Sequence, residues 1–134
     1  MGQAAVGNIS PSFIVSDVDR TIAFYRDKLG FEIRFQEPSE NPFFAIIGRG
    51  GAQIFIKSET GIDPVPNSKR HRHLRLDAFV YVPDPDALAK EFTDQNVTFS
   101  ATLKDTHDGL RGFELRDPDG YTIFFGRPRS ELPG

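Results

Sequence analysis

The sequence predicts an α+β fold, one domain built from two β-α-β-β-β modules. Three observations carry this. Gly51-Ala52-Gln53-Ile54-Phe55-Ile56 and Gly120-Tyr121-Thr122-Ile123-Phe124-Phe125 both read Gly-x-x-Ile-Phe-apolar. Val15-Ser16-Asp17-Val18-Asp19 is echoed by Val82-Pro83-Asp84-Pro85-Asp86. Each acidic opening leads into a helix-like stretch, and each Gly-x-x-Ile-Phe run closes its half. A half-chain repeat is one supersecondary unit used twice, and neither copy buries its apolar face alone. The two copies are therefore expected to enclose a shared space, and its lining decides the function.

The elements follow in order. Ile9 to Ser16 is short, apolar and β-branched, as a strand requires. Asp17 is a good helix N-cap, Val18, Ile22, Tyr25 and Leu29 recur at helical spacing, and Gly30 stops the helix. Phe31, Ile33 and Phe35 alternate with Glu32, Arg34 and Gln36, the pattern of a half-buried strand ending at Glu37. Pro38 to Pro42 reads as a loop, Phe43 to Gly48 as a more apolar strand, and Ala52 to Lys57 pairs back after a Gly50-Gly51 turn. This places module one at residues 9–57 and a Gly- and Pro-bearing linker at 58–73. In the second half Leu76 to Val82 is a strand. Asp84 caps a helix with Pro85 in its first turn, a favoured place for proline. Leu88, Ala89 and Phe92 form that helix's inner face, and Asn96 ends it. Val97 to Leu103 and Leu110 to Arg116 are strands around a loop from Lys104 to Gly109. Asp117-Pro118-Asp119-Gly120 is a strong turn, and Tyr121 to Gly126 is the last strand. Module two thus spans residues 74–126, and 127–134 reads as a loose tail.

Composition narrows the function classes. The chain of 134 residues fits one compact domain. Thirteen Phe against three Tyr and no Trp leave aromatic rings to spare for a pocket once a core is filled. A net charge of −3 argues for neither an acidic nor a basic partner. Without any Cys, disulfides, thiolate metal sites and cysteine nucleophiles are excluded. No signal peptide is visible near Met1, and no apolar run is long enough to span a membrane. The expected location is the cytoplasm, with no nucleic-acid or membrane partner.

Two stretches carry a family resemblance. Asp17-x-x-Arg20-x-Ile22-x-Phe24-Tyr25-x-x-x-Leu29-Gly30-Phe31 resembles the opening helix of the glyoxalase/bleomycin resistance protein/dioxygenase group, the vicinal oxygen chelate superfamily. Arg111-x-Phe113-x-Leu115-x-Asp117-Pro118-Asp119-Gly120 resembles its closing hairpin. The resemblance covers roughly Ile9 to Gly126, and the Leu115-Arg116-Asp117-Pro118 wording is closest to the bleomycin-resistance proteins. It implies half-barrel modules combined into an open barrel with a cavity, in a homodimer whose cavity lies near or across the interface. It also implies that enzymes of the group carry metal ligands at positions occupied here by Ser10, Phe55, Asp77 and Phe124. A catalytic divalent ion needs several His or carboxylate ligands and an open position. One hydroxyl, one carboxylate and two phenyl rings do not supply them, so an apolar cavity floor with no metal and no cofactor is expected.

Strand alternation extends the candidate set. With Asp77 inward, Phe79 and Tyr81 are also inward, while Ala78, Val80 and Val82 pack under the helix. With Phe55 inward, Gln53 and Lys57 follow; with Ser10 inward, Ser12 follows. The expected ligand-binding residues are Ser12, Phe35, Gln53, Phe55, Asp77, Phe79, Arg111 and Phe124, apolar walls with a few orienting polar groups; Arg111 is placed beside the cavity by the resemblance, with pairing to a carboxylate as its alternative. Ordinary core packing is the alternative reading of Phe55 and Phe124, and solvation at a rim that of Asp77 and Gln53.

Lys69-Arg70-His71-Arg72-His73-Leu74-Arg75 is the sharpest charge cluster. If extended, it puts His71 and His73 on the face of Asp77, as a displaced metal site or an anion gate would; a solvated linker is the plainer reading. His107 lies in a loop before the closing hairpin, where it is either an acid–base group or simply exposed. The expected function is a metal-free small-molecule binding protein of the bleomycin-resistance type, sequestering an aromatic or apolar drug or metabolite. The competing classes are a metal-dependent lyase or dioxygenase using His71, His73 and Asp77, and a module with a filled pocket that acts through protein contacts.

Overall fold

The computed structural model describes residues 2–131. Module one comprises β1 (Ser12–Ile14), α1 (Val18–Leu29), β2 (Glu32–Glu37), β3 (Phe44–Arg49) and β4 (Ala52–Lys57). One helical turn, α2 (Asn67–Arg70), punctuates the connection. Module two comprises β5 (Ala78–Tyr81), α3 (Pro85–Asp94), β6 (Phe99–Asp105), β7 (Leu110–Arg116) and β8 (Thr122–Pro128). Each module forms a four-stranded sheet, in the orders β1-β4-β3-β2 and β5-β8-β7-β6. First and last strands run parallel, and the remaining neighbours are antiparallel.

The helix ends follow from local chemistry. Asp17 accepts a hydrogen bond from the Arg20 N–H, and Gly30 takes the left-handed conformation, φ 74°, that closes α1 without a Cβ clash. Asp84 accepts from the Ala87 N–H, and Pro85 starts α3. One buried cluster runs through both modules, with Val15, Ile22, Tyr25, Ile47 and Ile56 from the first and Phe92, Phe113, Ile123 and Phe125 from the second. Burying each such large side chain is worth ~1.5–3 kcal/mol.

The halves meet through their helix-bearing faces. The Tyr25 hydroxyl on α1 donates to Asp117 in the β7–β8 turn at 2.9 Å. Arg49, entering the β3–β4 turn, grips Glu91 of α3 at 2.7 Å. The opposite face of each sheet is left uncovered: Phe35 on the first and Phe79 on the second are 48% and 46% exposed. The two sheets are separate and close no barrel within the chain. The space that the two copies share within one chain is therefore not walled by these two aromatic faces together; residues of both modules line a cavity beside β5 instead. What each copy buries against the other is its helix side, because an amphipathic helix already covers that side of each sheet.

Local differences have local causes. β1 is shorter than expected: it starts after Pro11, which lacks an N–H, and Ile9 is fully exposed. Lys104 and Asp105 belong to β6 rather than to the following loop. β8 continues through Arg127 and Pro128 into the expected tail, and Arg127 is buried, donating to the carbonyls of Pro128 and Glu131. The last three residues of that tail, 132–134, lie outside the described residues.

Candidate functional site

On β4, Ile54 and Ile56 are buried under α1, so Gln53, Phe55 and Lys57 point to the open face. Across the ladder they meet Gly48, Ile46 and Phe44. Phe35 joins them through a β-bulge. Ile33 pairs with Ile47, but Phe35 pairs with Ile46, so Arg34 is an extra residue and the strand changes face there. Alternation from Phe31 and Ile33 would have put Phe35 on the helix side. Instead Phe35, Phe44 and Phe55 form a row of rings, with centroid separations of 6.1 and 6.0 Å. Arg34 closes one end of the row. Its guanidinium lies across Gly48, where a Cβ would stand 2.6 Å from it. It donates to the Gln53 side-chain oxygen at 3.2 Å and the Gly50 carbonyl at 3.0 Å. The Gln53 amide donates to the Ser10 hydroxyl at 3.4 Å. Ser12 stands beside Phe55 in the parallel ladder.

On the second sheet Phe79 pairs with Phe124, and their rings stack at 5.7 Å and 13°. Phe124 is buried although it is on the open face. Its ring lies over the paired glycines Gly112 and Gly126, where an added Cβ would come within 2.6 and 2.5 Å of its edge. The result is a flat aromatic floor. Beside it Glu114 is buried and accepts from Arg75 at 2.5 Å and Ser100 at 2.8 Å.

The remaining candidates are placed differently. Asp77 spends its two carboxylate oxygens on the N–H groups of Asn67 and Thr122, both at 2.8 Å. Arg111 stands on the side of β7 that faces α3, donating to Asp86 at 2.7 and 2.8 Å and to Asp105 at 3.1 Å. The Arg111 hydrogen bonds hold the Asp86 carboxyl below its ordinary range, and Asp86 and Asp105 in turn raise the guanidinium. His71 and His73 lie on the surface, with ring centroids 5.4 Å apart. His73 receives the Arg72 Nε–H at 3.3 Å, and its own N–H donates to His71 Nδ1 at 3.1 Å. His107 is exposed. Among the described residues no group of three His, Cys, Asp or Glu side chains could hold a metal ion. At Ser10, Phe55, Asp77 and Phe124, where the resemblance implies ligands, two rings and a carboxylate turned toward backbone N–H groups do not fit a divalent ion.

Two cavities flank the edge strands. The larger, about 620 Å³, takes in Gln53 and Phe79; the smaller, about 330 Å³, takes in Ser12 and Asp77. Neither is lined by Phe55 or Phe124.

The model of the Glyoxalase/Bleomycin resistance protein/Dioxygenase superfamily matches residues 6–125. The chain belongs to this superfamily. A lactoylglutathione lyase of Haemophilus influenzae is 28% identical over 128 residues, covering 90% of this chain and 91% of the relative. A bleomycin-binding protein in complex with bleomycin shares the fold with a TM-score of 0.70 at 19% identity, covering 91% of this chain and 98% of its own. The bleomycin-binding protein of Streptomyces verticillus, complexed with copper(II)-bleomycin, matches with a TM-score of 0.66 at 25% identity, covering 92% and 97%. Both halves keep a parallel first and last strand. Among the described residues no helix is long and apolar enough to cross a membrane.

Sequence reasoning passed over Phe44, Arg34 and the Glu114–Arg75 pair. Glu114 was within reach, since it lies between the inward Phe113 and Leu115 and so must face the other way. The bulge that reorients Arg34 leaves no mark in a single sequence.

Proposed function

We propose that this superfamily member is a metal-free small-molecule binding protein that sequesters an aromatic or apolar drug or metabolite. The observation that supports this most is the uncovered aromatic face of each sheet, with Phe55 and Phe124 at the superfamily's ligand positions. Ring stacking and water exclusion supply affinity on such a surface. The working unit is a homodimer, in which the open face of one protomer's first sheet meets the open face of its partner's second. Phe35, Phe55, Phe79 and Phe124 form the walls, and Ser12 and Gln53 orient the guest. Arg111, on the other side of its sheet, is left out of this set, and Asp77 supports the backbone at the rim. The bleomycin-binding structures make bleomycin the first ligand to test, although it is cationic and a net charge of −3 attracts it only weakly.

Sedimentation and calorimetric titration with bleomycin and a set of aromatic antibiotics test the reading. A dimer that binds at least one of them, weakened about tenfold or more by Phe55→Ala or Phe124→Ala, is expected. A monomer that binds none of them rejects it. The lactoylglutathione lyase relative favours a second reading, a metal-dependent lyase. Turnover of lactoylglutathione with added divalent ions, lost on His73→Ala, would replace the first reading with that one.

A further inference from the structure

The larger cavity lies where the repeat is broken at two positions. The two modules meet twice, at places related by the repeat. At the first, the β7–β8 turn lies against β1. Tyr121 stacks on Phe13 at 4.2 Å and 2°, and its hydroxyl donates to the Ile14 carbonyl at 2.6 Å. In the repeat Tyr121 corresponds to Ala52, Phe13 to Val80 and Ile14 to Tyr81. Where the β3–β4 turn lies against β5, a methyl and an isopropyl group therefore stand in place of two stacked rings. The space those rings would occupy is part of the cavity of about 620 Å³, with Ala52, Val80 and Tyr81 on its walls and Phe92 and Phe125 behind them.

The hydrogen-bond acceptor survives the exchange. The Val82 N–H donates to the Gly126 carbonyl at 2.9 Å, so across that trans peptide the Tyr81 carbonyl points out of the sheet edge. The Val15 N–H bonds to Lys57 in the same way, and this is what leaves the Ile14 carbonyl free for Tyr121.

We propose that this cavity is a second binding site, beside the aromatic sheet faces and sharing Gln53 and Phe79 with their rims, for a flat hydroxylated aromatic molecule of two or more fused rings. One ring takes the place that Tyr121 fills at the other junction, against Val80 and Ala52, and its hydroxyl donates to the Tyr81 carbonyl. The volume calls for more than one ring, since a cavity of ~150 Å³ suffices for benzene. Walls that are largely apolar, with Gln53 and Arg49 at the rim, suit a neutral ligand.

The test titrates 2-naphthol and 2-methoxynaphthalene into the full chain, followed by ligand fluorescence and protein NMR. One 2-naphthol per chain is expected, with the methoxy compound about five- to tenfold weaker for want of a donor. Ala52→Tyr fills the cavity and is expected to cut 2-naphthol affinity at least tenfold in a folded protein, with Ala52→Leu as the gentler version. Lys90→Ala, on the exposed side of α3 and away from both sites, leaves that affinity within about twofold. Unchanged binding in both Ala52 variants, or loss with Phe55→Ala alone, overturns the proposal and returns the ligand to the sheet faces. Equal affinity for the two naphthalenes rejects the Tyr81 contact. Binding seen only after deletion of residues 2–10 also overturns it, because the occupant is then an N-terminal arm of this chain or a second copy. Failure to bind bleomycin or other drugs bears on the sheet faces alone and leaves this result standing.

Discussion

The two places where a helix of one module meets the hairpin turn of the other share a backbone plan and differ in almost every side chain. At the junction of α1 with the β7–β8 turn, a buried Tyr25 hydroxyl donates to Asp117, whose other oxygen accepts from the N–H groups of Asp119 and Tyr121, both at 3.0 Å. Ser16 and Arg20 secure Asp119, and Tyr121 stacks on Phe13. At the junction of α3 with the β3–β4 turn, Phe92 takes the place of Tyr25, a phenyl with no hydroxyl. Ala52 takes the place of Tyr121, and the polar link is a partly exposed Arg49–Glu91 pair. One junction has a solid, hydrogen-bonded centre beside the smaller cavity; the other is hollow at the matching place and held at its surface. Backbone pairing tolerates both, because it depends on main-chain groups. Filling is a property of two or three side chains.

The largest expected effect comes from emptying the solid junction. Tyr121→Ala removes a stacked ring and a hydrogen bond, and should lower the unfolding free energy by about 3 kcal/mol in a urea titration. A loss below about 1 kcal/mol would mean that the Phe13 contact is not holding the modules together.

Next in size is the response of the same junction to pH. Burial pushes the Asp117 carboxyl up to about 6, against the pull of the Tyr25 hydroxyl and the Tyr121 and Asp119 N–H groups. The folded state therefore binds this proton more tightly than the unfolded chain, whose value is the ordinary 3.8. That contribution is fully present below pH 3.8 and is lost as pH rises through about 6. Between those limits the native protein should lose about 2 kcal/mol relative to Asp117→Asn as pH increases. Tyr25→Phe should move the Asp117 titration higher still, read by carboxyl-carbon NMR. A downward move would remove the hydroxyl from this account.

Filling the hollow junction should act in the opposite sense and less strongly. Ala52→Tyr is expected to raise stability by about 1 kcal/mol in the same urea titration, with the new ring hydrogen-bonded to the Tyr81 carbonyl in a crystal structure. The smallest effect belongs to the surface link. Glu91→Gln should cost under about 1 kcal/mol and should cost less still in 1 M salt. A larger, salt-insensitive loss would show that Arg49 is buried there in solution.

Much of the chain was legible locally. Asp17, Gly30, Asp84 and Pro85 mark the helix ends because capping involves residues only a few positions apart. The limits of β4 and β7 were read without error, each being bounded by turn residues. The facing of Gln53 and Phe55, and of Phe79 and Phe124, followed from alternation once one position was set. Phe35 reached its face for a reason that alternation does not contain. Asp77 and Arg111 were polar groups near the strands, but their partners, at Asn67, Thr122, Asp86 and Asp105, are set by the fold.

Motif resemblance pointed to the superfamily, and from residue order alone came the twofold β-α-β-β-β plan, the helix limits and the aromatic character of the sheets. These depend on periodicity and short-range chemistry, which a linear string records in full. Only the tertiary structure decided that the helix-bearing faces bury each other and the aromatic faces stay open. It alone paired Tyr25 with Asp117, 92 positions away, and left a void beside Ala52. Contacts of that span depend on where two separately formed units come to rest, and shape complementarity between them is not written at any one position.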